Sequence, residues 1–134
     1  MSRELDNPGE IRARLAAEAQ SVAQARRLVR NVLRGSTAEA ERVHDALLVT
    51  SELVSNAISH GSRRGDEIDV QFKLVGSTLF LRVVDSARAG AVPHLRPRDP
   101  ARVAGRGIEI IGRLARWSER IVDGRRAVQA ELDL

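Results

Sequence analysis

The apolar positions of this chain change period several times, and each change marks a predicted element. Ile11, Ala13 and Leu15 alternate with Arg12, Arg14 and Ala16, a period of two that reads as a strand with one buried face. Residues 1–10 before it contain Asn7-Pro8-Gly9 and read as a loose lead-in to a single domain over residues 11–134. From Ser21 the spacing becomes helical. Val22, Ala25, Val29, Val32 and Leu33 form one stripe, while Arg26, Arg27, Arg30 and Arg34 fall mostly outside it. Ser21 and Gln24 have the spacing of a capping box, and Gly35 supplies the stop. A second helix opens at Ser36 or Thr37, with Glu39 and Glu41 where the dipole favours acids. It runs to about His60, with Gly61 as its end.

Two strands come next, at residues 67–75 and 78–84, joined tightly at Gly76-Ser77. Ile68, Val70, Phe72 and Leu74 alternate with polar residues in the first; the second is apolar nearly throughout and so reads as more central. Residues 86–104 follow neither period. They hold Gly90, Pro93, Pro97 and Pro100, and set Arg88, Arg96, Arg98 and Arg102 against Asp99 alone. A loop of that length inside a compact domain is usually functional or disordered. After Gly105-Arg106-Gly107 a third helix puts Ile108, Ile111, Leu114 and Ala115 on one face, with Trp117 continuing the stripe. A hairpin of residues 118–122 and 125–134 around Asp123-Gly124 closes the chain. The order predicts an α+β fold. It would be a two-layer α/β sandwich, with three main helices on one face of a mixed, largely antiparallel sheet of about five strands.

Composition narrows the function. Aromatic residues are 2% of the 134, so the core must be Val, Ile, Leu and Ala, and stacking platforms for single-stranded nucleic acid are nearly absent. The net charge of +4 is interleaved along the chain with no dense basic block, which argues against direct nucleic-acid contact. Without Cys there are no disulfides or thiolate metal sites, as expected in a reducing, cytoplasmic compartment. Three scattered histidines, His44, His60 and His94, make zinc a poor candidate. No apolar run approaches the roughly 18 residues of a membrane span, and the N-terminus has no leader-like apolar core.

Four features could carry chemistry. Glu52 and Asn56 stand one turn apart on the second helix, with Leu48 and Val49 one turn before them. A carboxylate and a carboxamide in that setting are at least partly buried, which costs free energy unless something satisfies them. The plainer alternative is a solvated stripe, and the helix alone does not decide. Asp85 is the first charge after the buried run Val83-Val84, where an Asp is often only a cap or turn former. The basic loop is the third. The fourth is Gly105-Arg106-Gly107 at a helix start, where free N–H groups favour an anion, although Gly-x-Gly alone is more often a turn.

Taken together, these features resemble the ATP-binding domain of the GHKL superfamily, and most nearly the anti-sigma-factor serine kinases and the small actinobacterial regulators related to them. Residues 51–61, Ser-Glu-Leu-Val-Ser-Asn-Ala-Ile-Ser-His-Gly, match the N box; Leu81-Arg82-Val83-Val84-Asp85 matches the G1 region; Gly105-Arg106-Gly107-Ile108 matches the G2 box. Order and spacing agree over nearly the whole chain. The resemblance implies that Asn56 holds Mg²⁺ on the phosphates of ATP and that Glu52 takes the proton of an attacking hydroxyl. It implies that Asp85 reads the adenine amine, and that residues 86–104 form a lid whose arginines sit near the triphosphate. Gly90 in that segment, and Gly105, Arg106 and Gly107 beyond it, would face the nucleotide. The partners implied are a STAS-type anti-anti-sigma protein, phosphorylated on serine, and a sigma factor; a homodimer is left open. There are two departures. The family's G1 box is Asp-x-Gly-x-Gly, but here Asp85-Ser86-Ala87-Arg88-Ala89-Gly90 has its glycine one position late. A Thr that the final hairpin often presents near the adenine is matched here by Ala127. Both lie on the adenine side, so a non-catalytic module that sequesters a sigma or anti-anti-sigma partner is the alternative.

Overall fold

The computed structural model describes residues 2–4, 9–63, 65–88 and 111–134. The strands are β1 (Ser2–Glu4), β2 (Glu10–Ala16), β3 (Glu67–Val75), β4 (Thr78–Arg88), β5 (Arg116–Val122) and β6 (Arg125–Asp133); the helices are α1 (Gln20–Leu33) and α2 (Ala40–Gly61). They form a single six-stranded sheet in the order β1-β2-β3-β4-β6-β5, and every described pairing is antiparallel. The α+β two-layer sandwich expected from the pattern is therefore present, with one strand more than expected. That strand is β1, in the segment read as a lead-in. Ser2, Arg3 and Glu4 pair with Arg14, Ala13 and Arg12, and a polar three-residue edge strand carries no alternation to announce it.

The alternating apolar residues do what their period requires. Ile11, Ala13 and Leu15 on β2, Ile68, Val70 and Phe72 on β3, Leu79, Leu81 and Val83 on β4, and Val128, Ala130 and Leu132 on β6 are all buried. They share the face covered by helices, with α1 over β2 and β3 and α2 over β4 and β6. The opposite face has no second layer among the described residues, and Phe80 of β4 stays 37% exposed there. β4 is central in the sheet, as its apolar text suggests. The final turn is two-residue: Asp123 and Gly124 both take positive φ, 52° and 76°, the geometry that suits the twist of a tight hairpin.

Three local expectations need correcting. Ser21 does not cap α1, which begins one residue earlier behind Ala19. The Ser21 hydroxyl instead donates to Ala16 O at 2.5 Å, tying the helix start to the end of β2. α2 starts at Ala40 rather than at Ser36 or Thr37, because Glu39 is still extended and Ser36 Oγ accepts a local bond from Ala38 N. Trp117 belongs to β5, opposite Ala130, and not to the preceding helix. Residues 111–114 are helical, and Ala115 N bonds to Ile111 O at the helix end; the start of this third helix lies outside the described residues.

Candidate functional site

α2 is buried around most of its circumference, and that is how it lodges polar side chains away from water. Ala46, Leu47, Val49, Leu53, Val54 and Ala57 are buried, and Thr50 Oγ1 is satisfied within the helix by Ala46 O at 2.7 Å. Asn56, on the same helix, is 5% exposed, yet its Nδ2 has no hydrogen-bond partner among the described residues. Leaving a buried amide unpaired costs about 1–3 kcal/mol, which argues for a function that needs it. Glu52, one turn earlier, is half-buried and makes no hydrogen bond or ion pair among the described residues. Burial pushes its carboxyl above the usual glutamate range. The solvated stripe is therefore not what folds.

α1 braces this part of α2 from behind. Arg26, placed outside by the helical pattern, reaches across to donate from Nη1 to Leu47 O at 3.1 Å and to Ser51 Oγ at 2.7 Å. Ser51 Oγ in turn donates to Leu47 O at 2.9 Å, so the turn carrying Glu52 is held by a cross-helix clamp.

The raised Glu52 carboxyl has a measurable consequence. Its folded value exceeds the unfolded one of about 4.3, so the fold favours the neutral acid. The stabilisation of that neutral form is complete below the unfolded value and is lost as pH rises through the folded value. Glu52→Gln removes the ionisation. Its thermal midpoint should exceed that of the wild type near about pH 7, and the gap should close near about pH 4. Midpoint curves running parallel over that range would contradict the burial of this carboxyl.

Asp85 is the next of the predicted site residues that the structure describes. It lies on β4 beyond Val83, in phase with the buried face, and is 1% exposed. The pairing of β4 with β6 shifts between Val84 and Arg88, and this irregularity falls where the G1 glycines are missing. Arg126 of β6 meets it. Arg126 Nε donates to Asp85 Oδ2 at 2.8 Å, and Nη2 lies 2.8 Å from the same oxygen, with both side chains 2% exposed. Glu119 Oε1 of β5 is 3.9 Å from Arg126 Nε. The backbone of Asp85 is also held, its carbonyl accepting from Arg125 Nε at 2.9 Å.

The hairpin residue beside Asp85 is thus Arg126, not Ala127. Ala127 is fully buried but stands in phase with Gln129 and Glu131, opposite Val84, on the face away from α2. Arg126 had a signal in the sequence: it is in phase with Val128, Ala130 and Leu132, a lone cation on an apolar stripe. Gly90, His94, the loop arginines Arg96, Arg98 and Arg102, and Gly105, Arg106 and Gly107 lie outside the described residues, and Arg88 is described by its backbone alone.

A family model for the histidine kinase-like ATPase domain matches residues 15–130. The chain belongs to that family. Membership makes this an ATPase-type domain, for which ATP binding is implied. The histidine kinase-like fold is also found in the crystal structure of the RsbU and RsbW domains of Rv1364c from Mycobacterium tuberculosis, with a TM-score of 0.64 at 20% identity. That match covers 93% of this chain and 32% of the other, so the chain spans about a third of that protein. Comparison with curated proteins finds no sequence match to this histidine kinase-like ATPase domain. No described helix of the domain is long and apolar enough to cross a membrane.

The residues described fit the nucleotide unevenly. On α2, the buried Asn56 and the half-buried Glu52 offer oxygen atoms of the kind Mg²⁺ takes, and the Asn56 Nδ2, unpaired among the described residues, is a donor that suits a phosphate oxygen. The buried Asp85 carboxylate is already engaged by Arg126.

Proposed function

We propose that the protein is an ATP-dependent serine kinase of the anti-sigma-factor type. Its substrate would be a serine on a STAS-type anti-anti-sigma protein, and a sigma factor would be the protein it restrains. The observation that carries this reading is the Glu52/Asn56 pair: two polar side chains one turn apart on a buried helix, with Asn56 Nδ2 and the Glu52 carboxyl unpaired among the described residues. The RsbW domain named in the similar structure supports the anti-sigma part of the proposal.

Asn56 would hold Mg²⁺ through its carboxamide oxygen, and the ion when bound would neutralise charge on the phosphates. Glu52 would accept the proton of the substrate serine as its Oγ forms a bond to the γ-phosphorus. The bond from that phosphorus to the β-phosphate oxygen breaks, leaving ADP and phosphoserine. A carboxylate held above its ordinary range is a better proton acceptor than an exposed one, provided it is ionised at working pH. The Arg26–Ser51 clamp would keep the helix turn in place during transfer. Incubation with Mg·ATP and a STAS-domain protein that the chain binds should yield phosphoserine on that protein, detected by mass spectrometry. Binding without any phosphoserine would favour the second reading, a non-catalytic module that sequesters its partner. That reading has one observation of its own: Asp85, the residue expected to read the base, is engaged by Arg126.

A further inference from the structure

We propose that Arg126 is a latch on the base-recognition side of this site, seated on Asp85 without nucleotide and transferred to Glu119 when a base binds. The proposal rests on the nucleotide-binding reading above and adds a specificity residue to it. Asp85 presents a carboxylate inside the protein, and Arg126 places Nε and Nη2 at 2.8 Å from Oδ2, so the oxygen is held by a charge-assisted contact. An exocyclic amine of a base is neutral. It offers a weaker hydrogen bond than a guanidinium does, so it cannot take Asp85 unless the displaced cation finds another acid.

The structure supplies one. Glu119 lies on β5 opposite Val128 of β6, on the same inner face as Arg126, and its Oε1 is 3.9 Å from Arg126 Nε. Its side chain is also more exposed than either partner of the buried pair, at 15%. A small side-chain rotation would exchange a full bond to Asp85 for one to Glu119, keeping the cation paired throughout. Asp85 would then exchange its contact with Arg126 for one with the base. Arg126 accordingly makes base binding a competition, with Arg126 and the base as rivals for one carboxylate.

Removing the cation and removing the second acid should give opposite results, which a merely structural ion cluster does not predict. In calorimetric titrations with Mg·ATP, Arg126→Gln should bind about tenfold more tightly than wild type, the factor separating a charge-assisted from a neutral hydrogen bond. Glu119→Gln, which removes the second seat, should bind more weakly. In the wild type, the Arg126 Nε–H resonance should be protected from exchange without nucleotide and should shift on saturation with Mg·ATP. This third readout needs no substitution and decides the matter if Arg126→Gln fails to fold. Wild type that binds ATP while Arg126→Gln binds equally or more weakly overturns the latch and leaves the nucleotide reading standing. An Arg126 resonance unmoved by saturating nucleotide does the same. Absence of ATP binding by wild type and by folded Arg126→Gln overturns both.

Discussion

Glu52→Gln should lower phosphoryl transfer to a bound STAS partner by about 10²–10⁴-fold, the usual range for loss of a general base. Binding of Mg·ATP and of the partner should change little. The reason lies in where the charge is needed: a base that takes a proton as the reaction proceeds stabilises the transition state more than the ground state. Gln keeps the size of Glu and removes its basicity. The variant should also fold at least as well, because burial holds the Glu52 carboxyl above its ordinary range and the ionised form is the one penalised. A rate loss cannot then be put down to unfolding. Transfer that survives the substitution undiminished would keep the enzyme and remove Glu52 as its base. Wild type without transfer to a partner it binds would leave the sequestering module.

Asn56→Ala should weaken Mg·ATP binding by about ten- to a hundredfold, the loss of one polar contact to a charged partner worth about 1.5–3 kcal/mol. Nucleotide binding in EDTA should fall far less. Stability distinguishes this from a packing role. The Asn56 Nδ2 is buried without a partner among the described residues, so its removal relieves a desolvation cost while leaving a small cavity, and the thermal midpoint should move little. Equal loss of binding with and without Mg²⁺, together with a fall in midpoint, would make Asn56 a structural residue.

Much of this was legible in the chain because local periodicity and burial coincide. The strands β2, β3 and β6 follow alternation of apolar residues, β4 follows its nearly continuous apolar run, and the long helix α2 follows its unbroken run to Gly61. Leu48 and Val49 made a partly buried Asn56 one of two readings beside a solvated stripe, and the structure decides for burial, with Val49 and Leu53 fully buried on the same helix. What could not be read depends on partners far apart in sequence. The Asp85–Arg126 contact joins residues 41 positions apart, and only the register of β4 against β6 brings them together. Arginine on a strand reads as a solvent-facing residue until its phase is compared with Val128 and Ala130. Arg26 was hidden similarly: its stem leaves α1 on the polar side, and only the neighbouring turn of α2 makes it an anchor. Trp117 lay at a boundary where an apolar residue fits either period.

The most direct test of the account is a calorimetric titration of the wild-type protein with ATP, in Mg²⁺ and in EDTA, with GTP as the comparison. If Asn56 brings Mg²⁺ to the phosphates and Asp85, once released, accepts from the adenine amine, ATP should bind more tightly with Mg²⁺ than without. It should also be preferred to GTP, whose six-position oxygen would face the carboxylate. No binding of ATP in either buffer, or binding that is indifferent to Mg²⁺ and to the base, would contradict the site described.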